Sequence, residues 1–401
     1  MLEIKPILSA LTRHKSATAL IVLQIAITFA VVVNSISIIN QRLELMNRES
    51  GLAEEEILAF NINPFGEDYD IEYNYKADIE LLRSIPGVID AVITNMIPIS
   101  QSGSSSGVSG SQQDVDDKKS YPAGFFRGDD HILNTLGVKL SAGRNFTGDE
   151  IIYSEEFVNP NVVLITQPLA DKLYTGGEAL GKQIYFWGID ATVVGIIETL
   201  AGPWPDSSQF MDNLIQPVIA LNRFVRIIVR VESSEMNTIL GNVEKKLIER
   251  NPNRVITSVR SLEEIKKRSY SNDYAMTQIL WTVITLLILI TALGIVGIVS
   301  FNVNQRTKQI GIKRALGATK MDIIRYFITE NIMITAFGIT IGAIITILFN
   351  NYLVSAFKLT AVDWIYIPIG AAIMLLTGVL SVWAPARKAS LVSPAVATQT
   401  I

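Results

Sequence analysis

Four long apolar segments constrain this chain more than any other feature of its sequence. From Ala17 to Ile39 there is no charged side chain over 23 positions. A helix of that length spans about 35 Å, which is enough to cross the roughly 30 Å hydrocarbon core of a bilayer. Three further segments have the same character, and the mean hydropathy of +0.34 agrees with them. We therefore predict an α-helical membrane protein with four transmembrane helices, at residues 17–40, 279–303, 326–349 and 365–385.

The distribution of Lys and Arg predicts the orientation of these helices. The loop at residues 304–325 carries six basic side chains and a single acidic one, Asp322, whereas the loop between the third and fourth helices has only Lys358 and Asp363. Short loops rich in Lys and Arg stay on the cytoplasmic side. We therefore expect the N-terminal segment 1–16, the loop 304–325 and the tail 386–401 to be cytoplasmic, with residues 41–273 on the other side.

The composition excludes several classes of function. Residues 41–273 contain 34 acidic and 22 basic side chains, so nucleic acid is not an expected partner. The chain has no Cys and only two His, His14 and His131, which leaves too few ligands for a zinc site and no Ser/His/Asp set. We expect no catalytic residues, no metal site and no cofactor site in this chain.

The region between the first and second membrane helices is predicted to be a large α+β domain. Residues 55–98 and 216–262 each have a strand, helix and strand pattern, which indicates a split β-α-β unit with both helices on one face of a sheet. Residues 99–215 are predicted to be an inserted β-rich subdomain. This insertion opens with a Ser, Gly and Gln tract, residues 101–113, that we expect to be a flexible loop.

One stretch of the insertion has the spacing of a phosphate-binding loop, GxxxxGK. It consists of Gly176, Gly181 and Lys182, but Gln183 stands where a Ser or Thr would bind magnesium, and the stretch precedes a strand instead of following one. We interpret it as a turn that leads into a strand.

The membrane helices contain small residues and one carboxylate whose positions suggest roles. Gly338 and Gly342 have the GxxxG spacing that permits close helix packing, and Gly294 and Gly297 would act in the same way in the second helix. Glu330 is the carboxylate, and such a group is costly in a membrane unless it is paired or near an interface. We favour an ion pair or an interface position beside the basic loop, with a proton relay as the alternative.

Several motifs resemble those of one transporter family. Residues 306–320 read RTKQIGIKRALGATK, and residues 384–395 read APARKASLVSPA. The domain between the helices contains GRNFT at 143–147, LADKLY at 169–174, LGK at 180–182 and VVG at 193–195. In order, spacing and topology these resemble the MacB and FtsX-like family of ABC transporter permeases, although Lys388 and Ser390 depart from the family's closing pattern.

This resemblance implies a permease subunit in a bacterial cytoplasmic (inner) membrane with a large periplasmic or extracellular domain. It would couple ATP hydrolysis to movement of that domain, called mechanotransmission, and so drive export or efflux. Since only 16 residues precede the first span, ATP and Mg²⁺ would be bound by a separate ABC ATPase. Other implied partners are a second permease copy or a similar permease, and a periplasmic adaptor with an outer-membrane channel. An FtsX-like regulator of a cell-wall hydrolase and a lipoprotein-release permease are the alternatives.

The resemblance also identifies the basic loop as a coupling helix. Its apolar and basic residues would form a short amphipathic helix against the ATPase or the membrane face. A topology signal that contacts phospholipid is the alternative reading of the same charges. The predicted coupling residues are Arg306, Ile310, Gly311, Lys313, Arg314, Ala315, Leu316 and Gly317.

Overall fold

The computed structural model describes residues 15–156, 158–174, 176, 178–357 and 362–393 of the chain. The side chains of residues 15–17 and 351–357 are not described. Most of the predicted segment 1–16, the residue Lys358 and the tail beyond residue 393 lie outside the described residues. The chain forms two compact units. The membrane unit comprises residues up to Glu44 and from Asp273 onward, and the large domain comprises Leu45–Asn272.

Eleven α-helices are formed by the described residues. In chain order they are α1 (Lys15–Met46), α2 (Ile71–Arg83), α3 (Gln112–Asp116), α4 (Ile132–Leu136), α5 (Gln167–Leu173), α6 (Met236–Arg250), α7 (Leu262–Ser269), α8 (Ser271–Gln305), α9 (Thr307–Ala315), α10 (Lys320–Phe357) and α11 (Tyr366–Ser390).

The described residues also form thirteen strands, all of them in the large domain. They are β1 (Ile57–Pro64), β2 (Val88–Thr94), β3 (Ser105–Val108), β4 (Tyr121–Arg127), β5 (Leu140–Gly143), β6 (Ile152–Ser154), β7 (Val162–Thr166), β8 (Gln183–Phe186), β9 (Ile189–Ile197), β10 (Asn213–Gln216), β11 (Val218–Ala220), β12 (Val225–Val231) and β13 (Arg254–Ser261).

Four helices of the membrane unit, α1, α8, α10 and α11, are long and apolar enough to cross a membrane. They are not equivalent in their packing. In α1, 61% of the most apolar window is buried inside the protein, against 22–28% in the other three. Ile25, Phe29 and Val33 of α1 belong to the same buried cluster as residues of the other three helices. The first span is therefore the most enclosed helix of the unit, and the other three present most of their apolar surface outward.

One sheet of the large domain confirms the predicted split β-α-β unit. Its strand order is β13-β1-β12-β2, and each neighbouring pair is antiparallel. The helix α2 connects β1 to β2, and α6 connects β12 to β13. Tyr75, Ile79 and Leu82 of α2 share one buried cluster with Ile239 and Val243 of α6. Both helices therefore cover the same face of the sheet, and the opposite face packs against the insertion.

The insertion contains a seven-stranded mixed sheet in the order β3-β4-β10-β7-β9-β5, with β8 paired to β9. The prediction of a flexible loop at residues 101–113 is wrong in part. Ser105–Val108 forms β3, which pairs antiparallel with the start of β4. The helix α3 begins within the tract at Gln112, where Ser111 caps it. The tract can be polar because β3 is an edge strand in which only Val108 is buried.

Candidate functional site

The basic loop between α8 and α10 folds into a short helix, α9, whose ends are set by local sequence. Arg306 alone separates α8 from α9. At the other end Gly317 has a φ of +99°, in the left-handed region that glycine adopts without strain. The Gly317 N–H donates to the Arg314 carbonyl at 3.2 Å and the Ala318 N–H donates to that of Lys313 at 3.1 Å. These two bonds form a Schellman motif, which ends α9 at the predicted position.

One face of α9 is packed against the membrane unit. Ile310 is 5% exposed and lies in the buried cluster that contains Phe327 and Ala389. Gly311 beside it is also buried. Ile310 and Gly311 were predicted as contacts for a partner, but they face inward because α9 must bury one apolar side against its own helices.

An ion pair fixes the start of α9 to α10. The Arg306 Nη1 lies 3.1 Å from both carboxylate oxygens of Glu330. The Arg306 and Glu330 side chains are 14% and 7% exposed. On the same helix Tyr326 has its hydroxyl 3.5 Å from Arg306 and its ring 4.4 Å from the Lys313 Nζ. Arg306 of the predicted coupling set is therefore paired within the chain, and Glu330 is bound to the loop as the ion-pair interpretation expects.

The opposite face of α9 is exposed and carries both apolar and basic side chains. Leu316 is 83% exposed and Ile312 is 49% exposed. Lys313, Ala315 and Gly317 of the predicted set are exposed beside them, and Arg314 is half-buried. An exposed leucine of this size, surrounded by positive charge at the end of a rigidly anchored helix, can dock into an apolar pocket with an acidic rim. We call these residues, 312–317, the exposed face of α9.

The glycines predicted to pack in the membrane differ in their surroundings. A Cβ on Gly338 would lie 2.7 Å from Ile25 Cγ2, and one on Gly342 would lie 2.8 Å from the Ala26 carbonyl oxygen, so α10 approaches α1 closely at both. A Cβ on Gly294 would lie 2.7 Å from the Gln24 side chain, whereas one on Gly297 would meet nothing within 4 Å. Gly297 therefore has no close neighbour among the described residues of this chain.

Two glycines of α11 that sequence reasoning missed also lie at tight contacts. A Cβ on Gly370 would lie 2.4 Å from Val33, and one on Gly378 would lie 2.8 Å from the Asn331 side chain. They are eight residues apart and therefore do not form the GxxxG pattern that predicts close helix packing.

Three motifs of the large domain, GRNFT, LGK and VVG, meet at one corner of the insertion. A Cβ on Gly143 would lie 2.3 Å from the Val194 carbonyl oxygen and 2.6 Å from Leu180. A Cβ on Gly195 would lie 2.4 Å from the Arg144 carbonyl oxygen. These contacts show a structural reason for the motifs, because glycine permits backbone to approach backbone.

The rest of the GRNFT motif stabilises the same corner. Phe146 is buried, and the Thr147 and Glu150 side chains form a capping box. The Arg144 Nη2 lies 2.6 Å from Glu150 Oε1. This hydrogen bond, with those from Thr147, lowers the pKa of Glu150 to about 2. The motif is a structural element and contains no reactive group.

The GxxxxGK stretch is a turn, as the sequence predicts. Gly181 has a φ of +78°, and β8 starts at Gln183 directly after Lys182. The Lys182 Nζ lies 5.0 Å from the centre of the Tyr174 ring. Within the described part of the chain no group of three or more His, Cys, Asp or Glu side chains is arranged to hold a metal ion.

Comparison with known proteins gives two family matches that together cover most of the chain. Residues 18–245 match the MacB-like periplasmic core domain, and residues 281–394 match the FtsX-like permease C-terminal model. The macrolide export ATP-binding/permease protein MacB of Chromobacterium violaceum is 25% identical over 274 residues, which cover 66% of this chain and 41% of that protein. This chain therefore spans less than half the length of that relative.

A second relative is closer in length. The uncharacterized ABC transporter permease YknZ of Bacillus subtilis is 25% identical over 272 residues, covering 66% of this chain and 67% of that protein. Among solved structures, the periplasmic region of MacB from Actinobacillus actinomycetemcomitans aligns with 54% of this chain and 94% of that chain, at 14% identity and a TM-score of 0.34.

Proposed function

This chain belongs to the MacB and FtsX-like family of ABC transporter permeases, and from that premise we propose that it is the membrane subunit of an ATP-driven export system. In this proposal it is non-catalytic, and a separate ABC ATPase binds ATP and Mg²⁺. ATP-driven movement of the ATPase reaches the large domain through the membrane helices. The most direct support is the exposed face of α9, where Leu316 is 83% exposed beside basic residues.

The anchoring of α9 makes it suitable for transmitting force. Its inner face is held by Ile310 and by the pair between Arg306 and Glu330. A single residue joins it to α8, and Leu316–Thr319 join it to α10. A force on the exposed face of α9 would therefore act on both α8 and α10, because the two short connections limit independent rotation of α9. The α8 helix continues from there to Ser271, at the end of the large domain.

The proposal of an ATPase partner draws on the names of the two relatives. The Chromobacterium protein is named as ATP-binding and permease in one chain, and this chain matches 41% of it. The Bacillus protein is named as a permease, and this chain matches 67% of it. The same proposal includes an exported substrate and a pair of permease chains, either a homodimer or a heterodimer. It also includes an adaptor with an outer-membrane channel. A cell-wall hydrolase regulator or a lipoprotein-release permease would use the same α9 contact.

The experiment that tests this proposal is Leu316→Asp in the full chain, purified from its host in mild detergent. The substitution places a carboxylate where we propose that a leucine enters the ATPase. We expect an ABC ATPase to co-purify with the unmodified chain and to be lost from the variant, with loss of ATPase activity. Truncating a central apolar contact costs about 2–4 kcal/mol, a loss of more than tenfold in affinity.

Leu391→Asp is the matched control, because Leu391 is 62% exposed directly after α11. Equal loss of the ATPase from both variants would indicate a general effect of charge near the membrane surface. Retention of the ATPase by Leu316→Asp would overturn the coupling assignment. The other proteins that co-purify distinguish export from hydrolase regulation or lipoprotein release.

A further inference from the structure

A cavity of about 330 Å³ lies in the large domain and is lined by residues of that domain alone. Its walls come from β1, β12 and β13, from the loop at residues 97–102 and from α7. This volume is at the lower end of the range for pockets that bind small molecules. The cavity is unusual in this domain because of the charge of its walls.

Three arginines line the cavity although the domain as a whole is acidic. They are Arg226, Arg260 and Arg268. Glu264 is paired with two of them, at 3.5 Å from Arg260 and 2.9 Å from Arg268. One carboxylate therefore pairs with two of the three arginines, and the third adds an excess of positive charge to the cavity.

Arg226 is the cation that lacks a counter-ion. Its Nη1 donates to the Asn95 carbonyl oxygen, and its Nη2 donates to the Ser102 hydroxyl at 3.1 Å. Both acceptors are neutral, and Arg226 forms no ion pair with any carboxylate in the described part of the chain. It is partly buried, and this burial lowers the pKa of Arg226. A guanidinium removed from water in this way gains most from an anion that enters beside it.

The backbone around the cavity is held in strained conformations. Ile99, Gln101 and Ser258 have φ values of +58°, +61° and +60°. Only five non-glycine residues with positive φ occur in the described chain, so three of the five line this cavity or adjoin it. Non-glycine residues in this region cost energy and persist where the surroundings enforce them, often at binding sites.

Specific contacts enforce this backbone. The Gln101 N–H donates to the Pro203 carbonyl at 2.8 Å, and the Ser269 hydroxyl donates to that of Ile99. Ser258 lies at a β-bulge, where the register of β13 against β1 shifts. A bulge redirects side chains, and such features occur near functional sites. The result is a preformed wall with the Ser100, Ser102, Ser258 and Ser269 side chains at the cavity.

We propose that this cavity binds the phosphate group of a small solute, with Arg226 as the principal counter-ion. A tetrahedral phosphate accepts hydrogen bonds from several directions, which suits guanidinium groups on different walls. This site is independent of the coupling of α9 to an ATPase.

The test is calorimetric titration of the purified full-length chain with inorganic phosphate, at constant pH and ionic strength and without any ATPase. We expect saturable binding at one site per chain. We expect Arg226→Gln to weaken it about tenfold, because a charge-assisted hydrogen bond is lost. Arg144→Gln is the control, since it removes the same charge from the same domain at the GRNFT corner.

Thermal unfolding without phosphate checks that Arg226→Gln is folded. If Arg226→Gln is not folded, Arg268→Gln is used in its place, because the Arg268 side chain is 61% exposed. The absence of saturable phosphate binding, equal weakening by Arg144→Gln, or binding of acetate with equal affinity would each overturn the proposal. A negative result in this titration would not contradict the proposed coupling to an ATPase, because that proposal is tested separately with Leu316→Asp.

Discussion

The pair between Arg306 and Glu330 explains how a carboxylate is accommodated in a helix of high apolarity. A single charge in such surroundings is costly, and the cost falls when an opposite charge is bound at hydrogen-bond distance. Both oxygens of Glu330 lie 3.1 Å from one nitrogen of Arg306. The carboxylate therefore helps to hold α9 in place, which makes it a structural group of the coupling site that we propose.

We predict that Glu330→Gln destabilises the chain by about 3 kcal/mol, because it leaves the Arg306 charge without its carboxylate. The double variant Arg306→Gln, Glu330→Gln should recover much of this loss, since it removes both charges together. The measurement is thermal unfolding of the full chain in detergent, for both single variants and the double variant. Loss in the double variant equal to the sum of the two single losses would show that the pair is not coupled.

This pair also shows a limit of sequence reasoning. Glu330 was recognised as exceptional from hydropathy, and a partner in the basic loop was expected. The partner itself could not be identified, because Arg306 lies 24 residues away and helical spacing relates only residues three or four apart. Long-range pairs depend on how helices pack, which the local pattern does not encode.

The elements of this protein were predictable where a repeating apolar pattern defines them. The strands β1 and β2 lie within the predicted segment 55–98, and β12 and β13 lie within the predicted segment 216–262. The strand β3 was missed because its burial comes from a single residue, Val108, at the edge of a sheet. The inward face of α9 was missed because an amphipathic pattern does not say which apolar residues contact the chain's own helices.

Glycine packing between α1 and α10 leads to a prediction at this scale. We expect Gly342→Ala to lower stability by about 1–3 kcal/mol, because its Cβ would lie 2.8 Å from the backbone carbonyl oxygen of Ala26. Gly297→Ala is the matched control, since nothing lies within 4 Å of its Cβ. Thermal unfolding in detergent measures both. Equal effects at the two positions would show that α1 and α10 do not pack as closely as described.

On the scale of the whole molecule, the charge distribution predicts that α9 and the large domain lie on opposite sides of the membrane. The chain has no native Cys, so single cysteines can report accessibility. We expect Ser233→Cys to react with a membrane-impermeant maleimide in spheroplasts, and Ala315→Cys to react only after permeabilisation. Both positions are exposed. The reverse labelling pattern would overturn the positive-inside assignment and, with it, the contact between α9 and a cytoplasmic ATPase.

The enclosed position of α1 has a consequence for the order of events during synthesis. More than two hundred residues separate the end of α1 from the start of α8. At about 5–20 residues per second, the ribosome needs roughly 10–45 s to make them. Until then Thr28, which shares a 2.9 Å hydrogen bond with Thr291 of α8, has no partner from that helix. The helix α1 thus enters the bilayer well before the helices that surround it, and these late partners complete the assembly.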